Sequence, residues 1–201
     1  HFDTAALANL AGRSSGSAAR SLYGGFVELE NREQDVAVRA LRDAASWPLQ
    51  VVIAITETGP KPIGSTEAME ISRKTSPFYS NWIEKQDEDL ALARDAIATK
   101  DFLKLAAVAE HNCLKMHSMM WGSRPPTVYW NSATMHCLQT VRKLQRSGLG
   151  VFFTIDAGPQ IKAVCLPEHT QEVRSALEAT DGVLDVMLTG IGAAARCVDA
   201  A

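Results

Sequence analysis

The segment Arg13-Ser-Ser-Gly-Ser-Ala-Ala-Arg-Ser-Leu-Tyr-Gly-Gly25 combines a run of small residues with one guanidinium and a closing pair of glycines. It predicts a loop that leads into a short helix, with Ser15 or Ser17 as the N-cap and Gly24 as the stop. A helix start offers free N–H groups to an anion, and Arg20 adds a planar fork suited to carboxylate or phosphate. The same pattern is typical of an ordinary capped surface helix, and taken alone it favours that plainer interpretation.

The composition is that of an ordinary globular chain, with 46% hydrophobic and 21% charged residues over 201 positions. Its length suits one large domain, or one domain and part of another. The 20 basic and 23 acidic residues give a net charge of −3, and neither sign forms a long block. We therefore expect no general nucleic-acid or membrane surface, and any anion site must be local. No apolar run approaches the roughly 20 residues of a membrane span.

Four widely spaced cysteines, Cys113, Cys137, Cys165 and Cys197, form no Cys-x-x-Cys pair. We expect free thiols in a reducing compartment, and hence a cytoplasmic protein. The chain opens without Met and without a signal peptide, in what looks like the middle of a helix. We therefore expect it to begin partway through a longer protein.

The first half of the chain is predicted to mix strands with capped helices. Asp3 is expected to cap a helix that ends at Gly12, and the alternation of residues 26–30 predicts a strand. Residues 31–46 are expected to form an irregular surface segment with some helix. The β-branched run 49–56 predicts a strand buried on both faces.

Helices are predicted to dominate the middle of the chain. Ser65 and Thr66 follow a Gly/Pro-rich loop and are expected to cap a helix over residues 67–74, which makes them a second potential phosphate site or a routine cap. Three longer helices are predicted to follow: residues 76–98, a helix capped by Asp101, and residues 127–145 with Gly148 as terminator.

The last part of the chain predicts a hairpin. Strands 151–155 and 161–166 flank the turn Asp156-Ala-Gly-Pro159, so we expect them to pair antiparallel. A helix over 169–179 and a strand over 183–188 are predicted to follow. Strands and helices mix without βαβ regularity, which indicates an α+β fold.

Asp156 stands where the first of these strands gives way to the turn. A carboxylate in that position commonly forms the turn itself by accepting a backbone N–H two residues on. Alternatively, it is a base or a hydroxyl-orienting group held on a rigid strand end. Spacing alone leaves both interpretations open and favours the first.

A metal cluster is conceivable from two pairs of side chains, Cys113 with His117 and His136 with Cys137. Their apolar neighbours and the lack of nearby carboxylates favour core packing instead, and we predict no metal site. No nucleophile elbow, Walker motif or G-x-G-x-x-G sequence occurs.

Six blocks occur in one order along the chain. They are residues 14–26 (Ser-Ser-Gly-Ser-Ala-Ala-Arg-Ser-Leu-Tyr-Gly-Gly-Phe), Phe78-Tyr-Ser-Asn-Trp82, Asp87-Glu-Asp-Leu90, His111-Asn-Cys-Leu-Lys-Met-His117, Ser123-Arg-Pro-Pro-Thr127 and Phe153-Thr-Ile-Asp-Ala-Gly-Pro159. This collinear set, which extends over nearly the whole chain, resembles the mevalonate diphosphate decarboxylases of the GHMP kinase superfamily, closest to their bacterial branch. The first block differs from the family's usual Gly-Ser-Gly-Ser-Ala-x-Arg-Ser-x-x-Gly-Gly at Ser14.

For the fold, the resemblance implies the C-terminal domain of the GHMP kinases, an antiparallel sheet packed against long helices. Residues 1–30 would be the last helical segment of the N-terminal, ribosomal S5-like domain. Residues 31–192 would be the C-terminal domain, and residues 193–201 a loose tail. The family's Gly/Ser-rich nucleotide loop belongs to the N-terminal part, and nothing like it occurs here.

For the activity, the resemblance implies ATP-dependent decarboxylation of mevalonate 5-diphosphate to isopentenyl diphosphate, with ATP and Mg²⁺ as cofactors. In the family, the counterpart of Asp156 contacts the 3-hydroxyl while ATP phosphorylates it, and loss of phosphate and CO₂ follows. Arg20 would bind the substrate carboxylate and, as an adjacent cation, would keep Asp156 ionised.

The same resemblance implies the remaining contacts. Ser15 and Ser17 would donate hydroxyls to the substrate and to the phosphates of ATP. Ser65 would contact the diphosphate, with Thr66 where bacterial relatives often carry Arg. Asn112 falls in a block near the substrate pocket. A cytoplasmic homodimer is expected, without nucleic-acid or membrane partners.

Two other interpretations stay open. One is a related kinase or decarboxylase that acts on mevalonate or on its monophosphate or bisphosphate, which the contacts at Ser65 and Thr66 would decide. The other is a catalytically inactive GHMP-fold interaction module. We also expect this chain alone to have little activity, because the nucleotide loop would lie upstream, in an N-terminal part of the same protein.

Overall fold

The computed structural model describes residues 3–32 and 35–196, and the chain divides into two compact units. The first unit contains His1–Leu49 and Gly190–Ala201, and the second contains Gln50–Thr189. Each unit has a sheet of its own. Most of the predicted loose tail, residues 197–201 with Cys197, lies outside the described residues.

The first unit is a two-stranded antiparallel sheet with two helices packed on it. Its elements are α1 (Thr4–Gly12), α2 (Gly16–Ser21), β1 (Phe26–Asn31) and β2 (Val36–Arg42). Asp3 caps α1 as predicted, because its Oδ1 accepts a hydrogen bond from the N–H of Ala6 at 2.6 Å. Trp47 stacks on Phe26 with ring centroids 5.2 Å apart.

Strand β2 lies in the segment 31–46 that we predicted to be irregular. That prediction is wrong: β2 pairs antiparallel with β1, with Val38 opposite Leu29. The arginines in this segment obscured a short alternation of apolar and polar residues that is typical of a strand. Arg39, for example, is exposed and pairs with Glu28 on the neighbouring strand. Because the strands pair, the compact unit extends to Leu49, beyond the residue 30 at which we predicted a domain to end.

The second unit is a four-stranded sheet covered by helices. Its strands are β3 (Gln50–Ile55), β4 (Val151–Thr154), β5 (Ile161–Cys165) and β6 (Asp185–Gly190). Its helices are α3 (Ser65–Thr75), α4 (Tyr79–Glu84), α5 (Gln86–Thr99), α6 (Phe102–Trp121), α7 (Ser132–Arg146) and α8 (Thr170–Glu178), the last preceded by a 3₁₀ turn, Pro167–His169.

The strand order in this sheet is β4-β5-β3-β6, and β5 pairs antiparallel with both β4 and β3. The predicted hairpin across the Asp156–Pro159 turn is therefore confirmed. Its register places Thr154 opposite Lys162 on one side of β5 and Ile53 opposite the same lysine on the other.

Two helix predictions need correction. The predicted helix over 76–98 is two helices, α4 and α5, which meet at Lys85. The helix predicted over 127–145 begins later, behind Asn131. The Oδ1 of Asn131 accepts from the N–H of Thr134 at 2.8 Å, and the Oγ1 of Thr134 accepts from the N–H of Asn131 at 3.3 Å. This capping box fixes the helix start and leaves residues 127–130 outside the helix.

The core of the second unit lies between the sheet and helices α6, α7 and α8. Strand β3 was predicted to be buried on both faces, but only the alternate residues Val52 and Ala54 are buried, so one face is core and the other is partly covered. None of the helices in the described ranges combines the length and the apolarity that a membrane crossing requires.

Candidate active site

The turn after β4 exposes the side chain of Asp156 directly behind a buried residue, Ile155. Gly158 makes this turn possible, because it adopts a φ of +97°, a conformation that side-chain-bearing residues avoid. A Cβ at this position would also lie 3.3 Å from the side chain of Tyr129. The result is a carboxylate carried on the rigid end of a core strand, with 73% of its side chain exposed.

Lys162 is the cation in contact with this carboxylate. Its Nζ donates to Oδ1 of Asp156 at 2.9 Å. Partial burial is the largest single influence on Asp156 and raises its pKa. The hydrogen bond and charge of Lys162 outweigh it, helped by the N–H of Gly158 and the charge of Lys61, and hold the pKa below its ordinary value. Asp156 is therefore ionised at neutral pH.

Asp156 borders two cavities of the second unit. The larger, of about 670 Å³, has cationic, aromatic and proline residues in its lining, among them Lys61, Tyr129, Trp130, Asn131, Pro159 and Lys162. The smaller, of about 380 Å³, is mainly apolar and includes Asn112, Asp89, Cys113 and Met116. The ammonium groups of Lys61 and Lys162 suit an anionic group of a small molecule, and the apolar wall suits an apolar part of it. Asp156 lies where these two surroundings meet.

The wall of the larger cavity is held by Tyr129, which lies between two parts of the loop that follows β3. Its hydroxyl donates to the carbonyl oxygen of Ile63 at 3.0 Å. The Nζ of Lys61 lies 5.4 Å from the centroid of its ring, within the range of a cation–π contact. Both contacts fix this loop against the segment that precedes α7.

Asn112, a predicted substrate contact, shares the smaller cavity with Asp156. Its Nδ2 donates to Asp89 at 2.8 Å and to Gln86 at 3.1 Å, and Lys115 donates to the same oxygen of Asp89 at 2.6 Å. Burial raises the pKa of Asp89, but the hydrogen bonds from Lys115 and Asn112 and the charge of Lys115 more than offset it and lower that pKa. Asn112 thus holds a buried carboxylate in place between α5 and α6.

In the first unit the structure brings Ser15, Ser17 and Arg20 together. Ser15 occupies the N-cap position of α2, but its hydroxyl bonds to the hydroxyl of Ser17 at 2.8 Å and makes no cap hydrogen bond. Ser17 and Arg20 line an open cavity of about 430 Å³, and the side chain of Arg20 is exposed. Helix α2 ends at Ser21 with Leu22 as its C-cap, so it stops before Gly24, the predicted terminator, and the glycine with positive φ is Gly25, at +78°.

Ser65 and Thr66 are the first residues of α3, whose N-cap is Gly64, so the prediction that they cap the helix is wrong. Both line an open cavity of about 660 Å³ together with Arg73. Arg73 donates through Nε and Nη2 to the two carboxylate oxygens of Glu70, each at 2.8 Å. Ser65 and Thr66 therefore do not act as caps, and their hydroxyls are the groups at this helix start that could contact a ligand.

Three of the four residues in the histidine and cysteine pairs are packed in the core, as predicted, and His136 is the exception. Cys113, His117 and Cys137 are buried, and burial raises the pKa of Cys137 to about 11. Within the described ranges no three His, Cys, Asp or Glu side chains converge on a possible metal position. His136 is only partly buried, and its Nδ1 lies 3.2 Å from the carbonyl oxygen of Asp181.

The burial of His117 leads us to predict that the free energy of unfolding decreases at acidic pH. It is 1% exposed, its Nε2 lies 3.2 Å from the carbonyl oxygen of Ile155, and burial lowers its pKa. The unfolded chain then binds a proton below about pH 6.5 that the folded chain resists, so the free energy of unfolding falls as pH drops through that range. Urea unfolding at pH 7.5 and 5.5 checks this. His117→Gln should flatten the dependence, whereas His111→Gln, at an exposed imidazole, should preserve it; equal slopes in the two variants would contradict the prediction.

Sequence reasoning missed two cations of this site, Lys162 and Lys61. The first could have been found, because the predicted hairpin across Asp156–Pro159 puts a residue early in the second strand beside the end of the first. The second could not, because the loop that carries Lys61 is held against Tyr129 by tertiary contacts far apart in sequence.

A family model described as mevalonate 5-diphosphate decarboxylase C-terminal domain matches residues 51–187. The chain belongs to this family. The match includes Asp156, its turn and all of the second unit's core helices, and it confirms the family and the α+β fold that the sequence predicted.

Individual relatives belong to the same family as the matching model. The diphosphomevalonate decarboxylases of Rattus norvegicus and Homo sapiens are each 31% identical, over 179 and 183 residues respectively. Each alignment covers 85% of this chain and 45% of the relative. The chain thus spans about 45% of the length of these curated relatives.

Solved structures of the family superpose closely. Mevalonate diphosphate decarboxylase from Staphylococcus aureus matches with a TM-score of 0.86 at 31% identity, over 96% of this chain and 59% of that one. A structure described as MDDEF in complex with MVAPP, AMPPCP and magnesium matches with a TM-score of 0.86 at 28% identity, over 96% and 60%.

Proposed function

We propose that the complete protein carrying this chain is an ATP-dependent mevalonate diphosphate decarboxylase, which converts mevalonate 5-diphosphate to isopentenyl diphosphate for isoprenoid biosynthesis. The observation that carries the proposal is the family match over residues 51–187, with an ionised Asp156 at a strand end beside a cavity. Structural neighbours described as complexes with MVAPP, mevalonate diphosphate, and with AMPPCP, an ATP analogue, support the choice of substrates.

Asp156 is proposed to act on the tertiary 3-hydroxyl of the substrate. Its carboxylate accepts the hydroxyl hydrogen bond and orients the oxygen for attack on the γ-phosphorus of ATP, because phosphoryl transfer needs alignment and charge neutralisation more than covalent help. With the pKa of Asp156 lowered by Lys162, the group is in its accepting form at neutral pH.

Decarboxylation follows from the phosphorylated intermediate. Departure of the 3-phosphate leaves developing positive charge at the tertiary carbon, which weakens the bond to the carboxylate carbon until CO₂ is released and the double bond forms. Apolar walls such as those beside Asp156 exclude water from such a carbon. The pair of electrons of the broken C–C bond becomes the alkene bond, and phosphate leaves with the C–O pair.

Arg20, Ser15 and Ser17 are proposed to hold the anionic parts of the substrates. The exposed guanidinium of Arg20 binds the substrate carboxylate in a bidentate manner, and the two serine hydroxyls donate to the substrate and to the phosphates of ATP. Ser65 and Thr66 are proposed to donate their hydroxyls to the diphosphate, with Arg73 in the same cavity wall. Asn112 is proposed to border the substrate pocket.

ATP supplies the phosphoryl group, and Mg²⁺ neutralises its phosphate charge when bound. Because no three carboxylate, His or Cys side chains converge within the described part of this chain, we assign it no metal ligand and take no step through the ion. A cytoplasmic location is part of the proposal, supported by three buried free thiols, as is a homodimer, which rests on the family resemblance.

The proposal is tested by titration calorimetry of the complete natural polypeptide with mevalonate diphosphate, followed by ATP-dependent release of CO₂. We expect saturable binding, and Arg20→Met should weaken it by about tenfold or more, since hydrogen bonds to charged groups contribute about 1.5–3 kcal/mol. Arg13→Met, on an exposed arginine of the same segment, is the control and should bind normally.

Other outcomes separate the remaining candidates. Phosphorylation of the substrate without CO₂ release would indicate a kinase of the same superfamily. Absence of binding by correctly folded protein would favour an interaction module. This chain on its own is expected to turn over little substrate, and rapid turnover by it would overturn the proposal that the main nucleotide loop is not part of it.

A further inference from the structure

The cation of the ion pair at the turn is less exposed than that of an exposed surface pair such as Lys85–Glu88. In Lys85–Glu88 both partners are at least half exposed. In Lys162–Asp156 the carboxylate is 73% exposed, but the lysine is only 29% exposed. The cation is therefore the fixed partner, and the carboxylate is the partner that faces the cavity.

The rigidity of Lys162 comes from its position in the sheet. It lies on β5, which has a paired strand on each side, with Thr154 opposite it on β4 and Ile53 opposite it on β3. A lysine on an edge strand or a loop would lose side-chain entropy to hold one geometry, whereas here the backbone and much of the stem are already ordered.

Other charged groups reach Asp156 only at longer range. Lys61, from the loop after β3, contributes through its charge without a hydrogen bond. His117, from α6, is buried, and its pKa is lowered, so it is neutral at pH 7. Lys162 is thus the group of this unit that contacts the carboxylate and neutralises it.

We propose that Lys162 is a positioning residue of the decarboxylase site, which fixes one oxygen of Asp156 so that the other is presented to the substrate hydroxyl. This inference rests on the proposed function. Lys162 holds Oδ1 through its hydrogen bond, and the N–H of Gly158 helps to orient the carboxylate, so that its remaining lone pairs can accept from the substrate hydroxyl. Its charge also offsets the repulsion between Asp156 and the anionic substrates that must approach it.

The test compares Lys162→Met, Lys162→Arg and the control Lys104→Met in the complete natural polypeptide. Lys104 also pairs with an aspartate, Asp95, on the surface of the same unit. We expect Lys162→Met to lower kcat on the order of tenfold to a hundredfold, as small misplacements of reacting groups do. The acid limb of its pH profile should move to higher pH. Lys162→Arg should recover much of both, and Lys104→Met should change neither.

A direct titration makes the result independent of turnover. NMR of the ¹³C-labelled Asp156 carboxyl should show protonation at higher pH in Lys162→Met than in the parent protein. An unmoved titration, or an equal loss of kcat in the Met and Arg variants with an unmoved acid limb, would overturn the role of Lys162. Failure of the proposed function is distinguishable, because then the parent protein itself would release no CO₂ while the NMR titration still responds to Lys162.

Discussion

Asp156→Asn is expected to lower kcat for ATP-dependent CO₂ release by about a hundredfold or more, the range lost when a proton-accepting group is removed from its site. Asparagine keeps the shape of the side chain but cannot accept a proton, and its uncharged oxygen binds Lys162 more weakly than a carboxylate does. ADP release should fall in parallel, because the hydroxyl must be phosphorylated before CO₂ can leave. Measuring both products at saturating substrate checks this.

The matched control for this substitution is Asp95→Asn, which neutralises an exposed aspartate paired with Lys104 in the same unit. It should leave kcat within about twofold, since surface ion pairs contribute little. Fold integrity of Asp156→Asn is expected, because its side chain lies outside the core. If ADP formation continued at the parent rate while CO₂ release stopped, the assignment of Asp156 to the phosphorylation step would be contradicted.

The position of Asp156 in the fold was predictable because it depends on local sequence. Strand 151–155, the Gly-Pro turn and strand 161–166 follow from β-branched and apolar runs around turn residues, and together they place Asp156 at a strand end. The hairpin register then brings Lys162 beside it, a step that needs only the pairing rules.

The predicted starts of two helices, α7 and α3, were wrong because two local signals compete at each of them. Residues 127–131 have apolar spacing compatible with a helix, but the Asn131–Thr134 capping box sets the start of α7 behind them. Likewise, Gly64 takes the N-cap position with extended backbone, so Ser65 is drawn into the first turn of α3. Both errors shift a boundary and keep the element.

Some tertiary contacts could not be predicted from the sequence, because they depend on residues that are distant along the chain. Glu110 lies on a helix whose polar residues suggest solvent, yet its side chain is only 8% exposed. Nothing local distinguishes it from the exposed Glu88 of α5. Its partners come from α7 and β4, whose approach is set by packing of the whole unit.

Glu110→Ala is expected to lower the free energy of unfolding by about 3 kcal/mol, the scale of breaking a buried ion pair from one side. One oxygen of Glu110 accepts from the N–H of Phe153 at 3.1 Å and from Nε2 of Gln145 at 2.7 Å, and the other pairs with Arg142. Alanine would remove all three acceptor contacts, including that of the N–H of Phe153, a residue that is fully buried, so this donor would lose its acceptor. Urea unfolding at pH 7 measures the change.

The control variants separate the lost contacts from lost helix content. Glu110→Gln keeps an acceptor oxygen for Phe153 and should cost about 1 kcal/mol, the typical size of one hydrogen bond. Glu88→Ala removes a glutamate from α5 whose side chain is 65% exposed and pairs with Lys85 at the surface, and should change stability by less than about 0.5 kcal/mol. A loss for Glu110→Ala no larger than that for Glu88→Ala would mean that water replaces the carboxylate at the N–H of Phe153. In that case the junction of α6, α7 and β4 would be held by apolar packing alone.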